Sequence, residues 1–350
     1  MTQKPADRRD FRLIQLDIIK AVGVIFMMVL HTVVWWFSDD YITNDKVLEF
    51  TFFLEVVGFF VFLIPITAGA AFYYYLIKNK YYGQRKNIGA VLKRSIVLLF
   101  LAYLTNIIAF GLEDILSWDV LHFFSLGFII LYAFSFFPIH YLAIFSFVST
   151  VIAPLLRNIL LDFNDSYWAI ILVGNNTSYH YWAFFPWFAL IGFGMVIADL
   201  YYKGLLKNKS LQKTLVLASL GAIAISFYLN ELIFDSNIVS VWGPHIFMPP
   251  ISRIFAIVGM FFLFFIILKK YPPKSTAKYG IVNAFSKGIL WIYISHLIIG
   301  FNFINFLKQN NIYGMGYMLL TLFALIALSY LVGLAAVIWK EKVKLKLLKS

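Results

Sequence analysis

Residues 16–31 read LDIIKAVGVIFMMVLH. The run is apolar enough to sit in lipid, yet it carries an acid at Asp17, a base at Lys20 and an imidazole at His31. On an α-helix the eleven steps from Lys20 to His31 make about three full turns, so the two side chains share one stripe about 16 Å apart. Asp17, three residues before Lys20, falls on the same stripe. Ionisable groups within a membrane are costly and face a bundle interior or a water-filled cavity. One reading is structural: an Asp17–Lys20 pair, with His31 bonded to a carbonyl near the outer interface. The other is a polar track with a cation at its inner end and a general base at its outer end. Such a track suits an extended, phosphate-bearing donor whose reactive end lies beside His31.

The rest of the chain agrees with a membrane setting. Its 350 residues are 62% hydrophobic and only 13% charged, whereas a soluble domain is nearer half apolar and a quarter charged. Ten apolar segments are long enough to cross about 30 Å of hydrocarbon. They run over 13–37, 50–77, 89–111, 118–137, 139–160, 181–202, 211–233, 247–268, 284–307 and 313–339. The sequence therefore predicts an all-α polytopic protein forming one transmembrane domain over 1–350, with a polar segment 1–12 and a basic tail 340–350. No cleavable signal peptide is expected, because the N-terminus is polar and basic and the first apolar block lacks a small-residue cleavage site. The absence of cysteine excludes disulfides, thiolate metal sites and a cysteine nucleophile.

Charge gives the orientation. Of the 29 lysines and arginines, 23 fall on alternate connections. They are Lys4, Arg8, Arg9 and Arg12; Lys78, Lys80, Arg85, Lys86, Lys93 and Arg94; Lys203, Lys207, Lys209 and Lys213; Lys269, Lys270, Lys274 and Lys278; and Lys340, Lys342, Lys344, Lys346 and Lys349. By the positive-inside rule this side, with both termini, is cytoplasmic. The opposite connections are acidic: Asp39, Asp40, Asp45 and Glu49, then Glu113, Asp114 and Asp119, then Asp162, Asp165 and Asp235. The net charge of +12 is accounted for by topology and anionic lipid, so no nucleic-acid partner is expected. Two long outer connections, 161–180 and 234–246, mix polar and aromatic residues in NDSYW, NNTSYHYW and VWGPH. That mixture suits a carbohydrate, and equally suits an ordinary interfacial loop.

The segment RLIQLDIIKAVGVIFMMVLH, residues 12–31, resembles the opening helix of the transmembrane acyltransferases. These include the acyltransferase-3 family and the heparan-α-glucosaminide N-acetyltransferase-like proteins. Arg12, Leu16, Asp17 and His31 match the pattern; Lys20 stands where arginine is usual and Ala21 where glycine is frequent. FFVFLIPITAGAAFYYY, LKRSIVLLF, DVLHFFSLGFIIL, YWAFFPWFALIGFGMVIADLYY and FSKGILWIYISHLIIG resemble later family segments in order, the last three leaning towards the heparan-type branch. The resemblance implies an acetyl group drawn from cytoplasmic acetyl-CoA and delivered to a sugar or glycan on the far side of the membrane. A zinc site of histidines and carboxylates is conceivable, but no H-x-x-x-H or H-E-x-x-H spacing supports it, so no metal is expected. The polar track fits this, because a phosphopantetheine arm is about as long as the Lys20–His31 separation.

On this reading His31 is a general base or a covalent acyl relay, with Asp17 on the same stripe. Lys20, Arg12, Lys93 and Arg94 are candidates for the CoA phosphates, lysine offering a point charge where arginine offers a bidentate fork. His122, at the outer start of the fourth span, and His296, in the ninth, are further site candidates; helix packing is the competing role for His296. Glu55 would orient His31 or act as a second base. Arg253 would bind the thioester oxygen or an acidic substrate, or else pair with Glu55 or Glu231. His180 and His245, in the outer loops, are acceptor-site candidates, and His140 is read as structural. A second copy of the chain is an admissible partner. The lysine-rich inner surface and lack of cysteine suggest a bacterial plasma membrane. The rival reading is a transporter or flippase of a glycolipid or polyprenol-linked sugar. It is disfavoured because FLIPITAGA is the only strong helix break and has no paired counterpart.

Overall fold

The computed structural model describes residues 13–37, 56–81, 88–160, 166–174, 182–233, 249–270, 280–312 and 314–347. Its helices are α1 (Ile14–Phe37), α2 (Leu63–Tyr81), α3 (Ile88–Phe110), α4 (Val120–Phe134), α5 (Ile139–Leu160), α6 (Tyr167–Val173), α7 (Phe184–Tyr202), α8 (Lys209–Ile233), α9 (Ile251–Lys270), α10 (Ile281–His296), α11 (Asn302–Gln309) and α12 (Met315–Leu347). The described residues form no strand, so every backbone group within a span is satisfied locally, as lipid requires. Among the described residues, nine spans are long and apolar enough to cross a membrane.

The tenth expected span is α4. At 15 residues it rises only about 22 Å, shorter than the 118–137 read from hydropathy. Asp119 stops it early at one end: its side chain accepts from the Val120 backbone N–H at 2.6 Å and forms a capping box with His122. At the other end the chain turns over Ser135–Pro138 into α5. Tyr103 meets His122 at 4.7 Å, and Ser125 Oγ donates to the Ser95 carbonyl at 2.8 Å. Those two contacts make α4 antiparallel to α3. Phe134 against Phe145, at 5.0 Å, makes α4 and α5 a hairpin.

Other boundaries differ for local reasons. The second span, Val56–Lys78, breaks at Phe62, three residues before Pro65. Proline is accepted in the first turn of α2 because its missing N–H has no intrahelical partner there. A short helix, α6, lies within the connection read as a long outer loop. The ninth span is interrupted by a π-turn, Leu297–Phe301, directly after His296. The last helix continues to Leu347, so most of the expected basic tail is helical.

The chain divides into two compact units: Met1–Leu16, Pro65–Tyr103 and Leu116–Lys270 form the first; Asp17–Ile64, Leu104–Ile115 and Tyr271–Ser350 form the second. In the first, α7 is the central helix, with Trp187, Phe188, Ala189, Leu190 and Ile191 fully buried. Lipid tails are as apolar as leucine, so burial alone drives little helix association, and close packing through small residues takes its place. A Cβ on Gly69 of α2 would lie 1.9 Å from the Ile191 carbonyl oxygen, and one on Gly194 of α7 would lie 2.0 Å from that of Ile66. The α2–α7 crossing therefore requires two bare backbones. At the end of these helices that leads into the basic connections, buried Asp199 accepts from Tyr73 Oη at 2.8 Å and pairs with Lys203 at 2.8 Å.

In the second unit α10 packs along α12, crossing at Gly288 and Gly333. The end of α1 packs Val33 and Trp36 against Ile304, Leu307 and Met318. Asp17 and His31 of α1 meet Ser286 and His296 of α10 in the same order, so the two helices run parallel.

Gly69→Val lowers the melting temperature of the detergent-solubilised protein by about 5 °C or more. Gly221→Ala, where nothing lies within 4 Å of the added Cβ, leaves it within about 1 °C. An unchanged melt for Gly69→Val contradicts the backbone crossing described above.

Candidate functional site: a histidine pair on parallel helices

α1 and α10 are joined at two levels. Near their starts, Ser286 Oγ donates a hydrogen bond to the Asp17 carboxylate, both residues being buried. Near the other end, His31 Nδ1 and His296 Nε2 lie 2.7 Å apart. The two rings are nearly coplanar in orientation, 4° apart, with centroids 5.0 Å apart. His296 is 1% exposed and His31 partly buried. Two neutral imidazoles at this distance can bond only if one donates and the other accepts.

A backbone carbonyl decides which. His296 Nδ1 lies 3.0 Å from the Ile292 carbonyl oxygen. That oxygen can only accept, so Nδ1 of His296 carries the hydrogen and its Nε2 carries a lone pair. The Nε2 lone pair in turn accepts the Nδ1–H of His31. The remaining nitrogen, His31 Nε2, keeps its lone pair and has no hydrogen-bond partner among the described residues. The chain of bonds runs from a fixed carbonyl through two rings to one basic nitrogen. When that nitrogen takes a proton, the Nδ1–H of the resulting imidazolium already points at an acceptor. This is the orienting logic of a catalytic triad, with a second histidine as the orienting group.

Trp35, one turn beyond His31 on α1, lies over both rings. Its centroid is 5.1 Å from His31 at 25° and 6.1 Å from His296 at 24°. Phe301, within the π-turn, meets Trp35 edge-on at 5.7 Å, and Phe110 meets Phe301 at 4.9 Å. π-turns inside helices recur at functional sites, and this one begins at the residue after His296.

The other sequence candidates fall elsewhere. Asp17 is fourteen residues from His31, about 21 Å along the helix, and its partner is Ser286 rather than an imidazole. Lys20 is partly buried on α1 between them. His122 is buried in the first unit, where its Nδ1 accepts the Asp119 backbone N–H at 3.2 Å and its ring stacks on Trp118 at 5.4 Å. That is a helix-capping role. Lys93 and Arg94 are exposed at the start of α3, and the Arg94 guanidinium lies 4.1 Å from the centre of the Tyr75 ring. Arg253 is 3% exposed near the start of α9. Arg12, Glu55, His180 and His245 lie outside the described residues. Among the described residues no three His, Asp or Glu side chains form a group able to hold a metal ion.

Three residues whose contacts stand out in the structure escaped sequence reasoning. Ser286 precedes His296 by ten residues, much as Asp17 precedes His31 by fourteen, and that shared order was the available signal. Trp35 is four residues after His31 and so on its stripe. Arg157, 4% exposed in the last turn of α5, donates from Nε to the Val173 carbonyl at 2.9 Å. It thus sits at the C-terminal ends of α5 and α6, where a cation is favoured.

Residues 12–233, well over half of the chain, match the family model described as "Heparan-alpha-glucosaminide N-acetyltransferase, catalytic". The match takes in Asp17, Lys20, His31, Lys93, Arg94 and His122 and ends before Arg253 and His296. No curated protein and no solved structure matches the chain.

In ¹⁵N spectra of histidine-labelled protein near neutral pH, His31 and His296 are both expected as Nδ1–H tautomers, the less common form of free imidazole. Assignment by His31→Gln and His296→Gln identifies the two signals. An Nε2–H tautomer at His31 contradicts the bond order derived above.

Proposed function

We propose, because the chain belongs to the heparan-α-glucosaminide N-acetyltransferase catalytic family, that this membrane acetyltransferase uses His31 Nε2 as the base at which an acetyl group passes from acetyl-CoA to a sugar or glycan. The observation that carries the proposal is an open imidazole lone pair on His31, held in place by the Ile292–His296–His31 chain. Family membership also weighs against the transporter reading, since a flippase needs no such base.

The acceptor's hydroxyl or amine binds with its proton towards His31 Nε2. As the acceptor's lone pair attacks the thioester carbonyl carbon, that proton moves to Nε2. The C–S bond then breaks, and the CoA thiolate leaves and takes up a proton. Charge that appears on the His31 ring is met by the Nε2 lone pair of His296, which lowers the cost of an imidazolium in apolar surroundings. The same lone pair would serve as nucleophile in an acetyl-imidazole relay, so base and relay share one geometry.

The donor enters from the basic, cytoplasmic side and the acceptor from the acidic side. The alternation of charged connections supports that direction. Lys20, about 16 Å along α1 from His31, meets the pyrophosphate. Asp17, held by Ser286, fixes the inner end of α1 against α10 and so keeps the Lys20–His31 stripe in register. The setting is the plasma membrane of a bacterium, a placement supported by the lysine-rich inner surface and the lack of cysteine.

His31→Ala abolishes acetyl transfer, a loss of about 10²-fold to 10⁴-fold, while acetyl-CoA binding by isothermal calorimetry is retained. His296→Ala slows transfer by about 10-fold to 100-fold, and the double variant is no slower than His31→Ala alone, because the two act as a unit. Lys20→Ala raises the KM for acetyl-CoA with little change in kcat. Turnover retained by His31→Ala removes the base from His31, and additive losses in the double variant break the pair.

A further inference from the structure

The aromatic surface on the acidic side of the histidine pair has no part in the proton chain. We propose that Trp35 is the platform on which the acceptor's sugar ring stacks while its nucleophilic group reaches His31 Nε2. The inference rests on the proposed transfer only for naming the acceptor; the platform itself is read from the geometry.

Trp35 is one turn beyond His31, on the part of α1 that leads to the acidic connection, so a ligand coming from that side passes it first. It is partly exposed, as are Phe301 and Phe110. These rings form a continuous run, at 5.7 Å and 4.9 Å between centroids, leading away from the histidines. The negative face of an indole attracts the polarised C–H groups on one face of a pyranose, and the ring loses little freedom on binding because only two torsions fix it. An acyclic alcohol or amine has no such face.

An interfacial anchor is the plain alternative for a tryptophan near a helix end. Trp36, 5% exposed, belongs to the cluster of Val33, Ile304, Leu307 and Met318, and Trp35 packs against that cluster too. Trp35 differs in that its ring also stacks on both imidazoles. The fold also makes room for it there. A Cβ on Gly300, within the π-turn, would lie 2.9 Å from Cζ3 of Trp35, so the indole occupies space that any other residue at 300 would fill.

The test uses the full chain in detergent, with glucosamine and ethanolamine as probes: both carry a primary amine and a hydroxyl, and only one has a ring. Saturation-transfer NMR is expected to show the axial ring protons of glucosamine in contact with the wild type, with the signal lost in Trp35→Leu and partly kept in Trp35→Phe. In turnover, Trp35→Leu lowers kcat/KM for glucosamine about tenfold more than that for ethanolamine, while the KM for acetyl-CoA stays within about twofold. Gly300→Ala, which displaces the indole without removing it, shifts glucosamine kcat/KM in the same direction. The inference is overturned if the wild type does not saturate glucosamine, or if Trp35→Leu binds it equally well. It is overturned too if the variant loses glucosamine and ethanolamine turnover in equal proportion, which marks a role in supporting the imidazoles alone. Trp35-dependent sugar binding without acetyl transfer by the wild type would sink the proposed reaction and leave the platform standing.

Discussion

Two imidazoles bonded at 2.7 Å between parallel helices set the terms for the second unit. A polar ring in apolar surroundings must find a partner, since an unmade hydrogen bond there costs several kcal/mol. Here each ring satisfies the other, and the Ile292 carbonyl removes the remaining ambiguity about where the hydrogens lie. One nitrogen, His31 Nε2, is left over. The arrangement needs α1 and α10 side by side, in the same direction and in one register. The Asp17–Ser286 bond nearer the helix starts enforces this.

Each unit is assembled by contact between helices rather than by flight from water. Gly69 and Gly194 bring α2 and α7 together at backbone distance in the first unit, and Gly288 and Gly333 do the same for α10 and α12 in the second. Such crossings have little tolerance for an added methyl group, which makes them rigid. Rigidity is what a site needs if its base must be held to within a fraction of an ångström of an attacking atom. The π-turn after His296 is the local exception to regular helix, and it falls where Trp35 meets the unsubstituted face of Gly300.

Much of this was legible in the amino-acid order because lipid imposes simple rules. Of the ten segments read from hydropathy, nine correspond to helices long and apolar enough to cross a membrane among the described residues, and the tenth is the shorter α4. Hydropathy overestimated α4 because it cannot see the Asp119–His122 capping box that ends the helix early. It missed α6, which at seven residues is too short to register as a span. His31 stood out because its helical spacing from Lys20 is local information. His296 was visible as a histidine in a recognisable helix, but its partnership was not, since the two residues are 265 positions apart. His122 shows the converse: a histidine read as a site candidate whose ring nitrogen is engaged by its own helix start.

The central claim is that the acetyl group changes hands at His31 Nε2, and a structure of the protein with a non-hydrolysable acetyl-CoA analogue tests it most directly. The account predicts the analogue's carbonyl carbon within about 4 Å of that nitrogen, close to the 3–3.5 Å reach of a near-attack geometry, and its phosphates at the level of Lys20. A carbonyl lodged beside Lys20, or in the first unit away from both histidines, contradicts it.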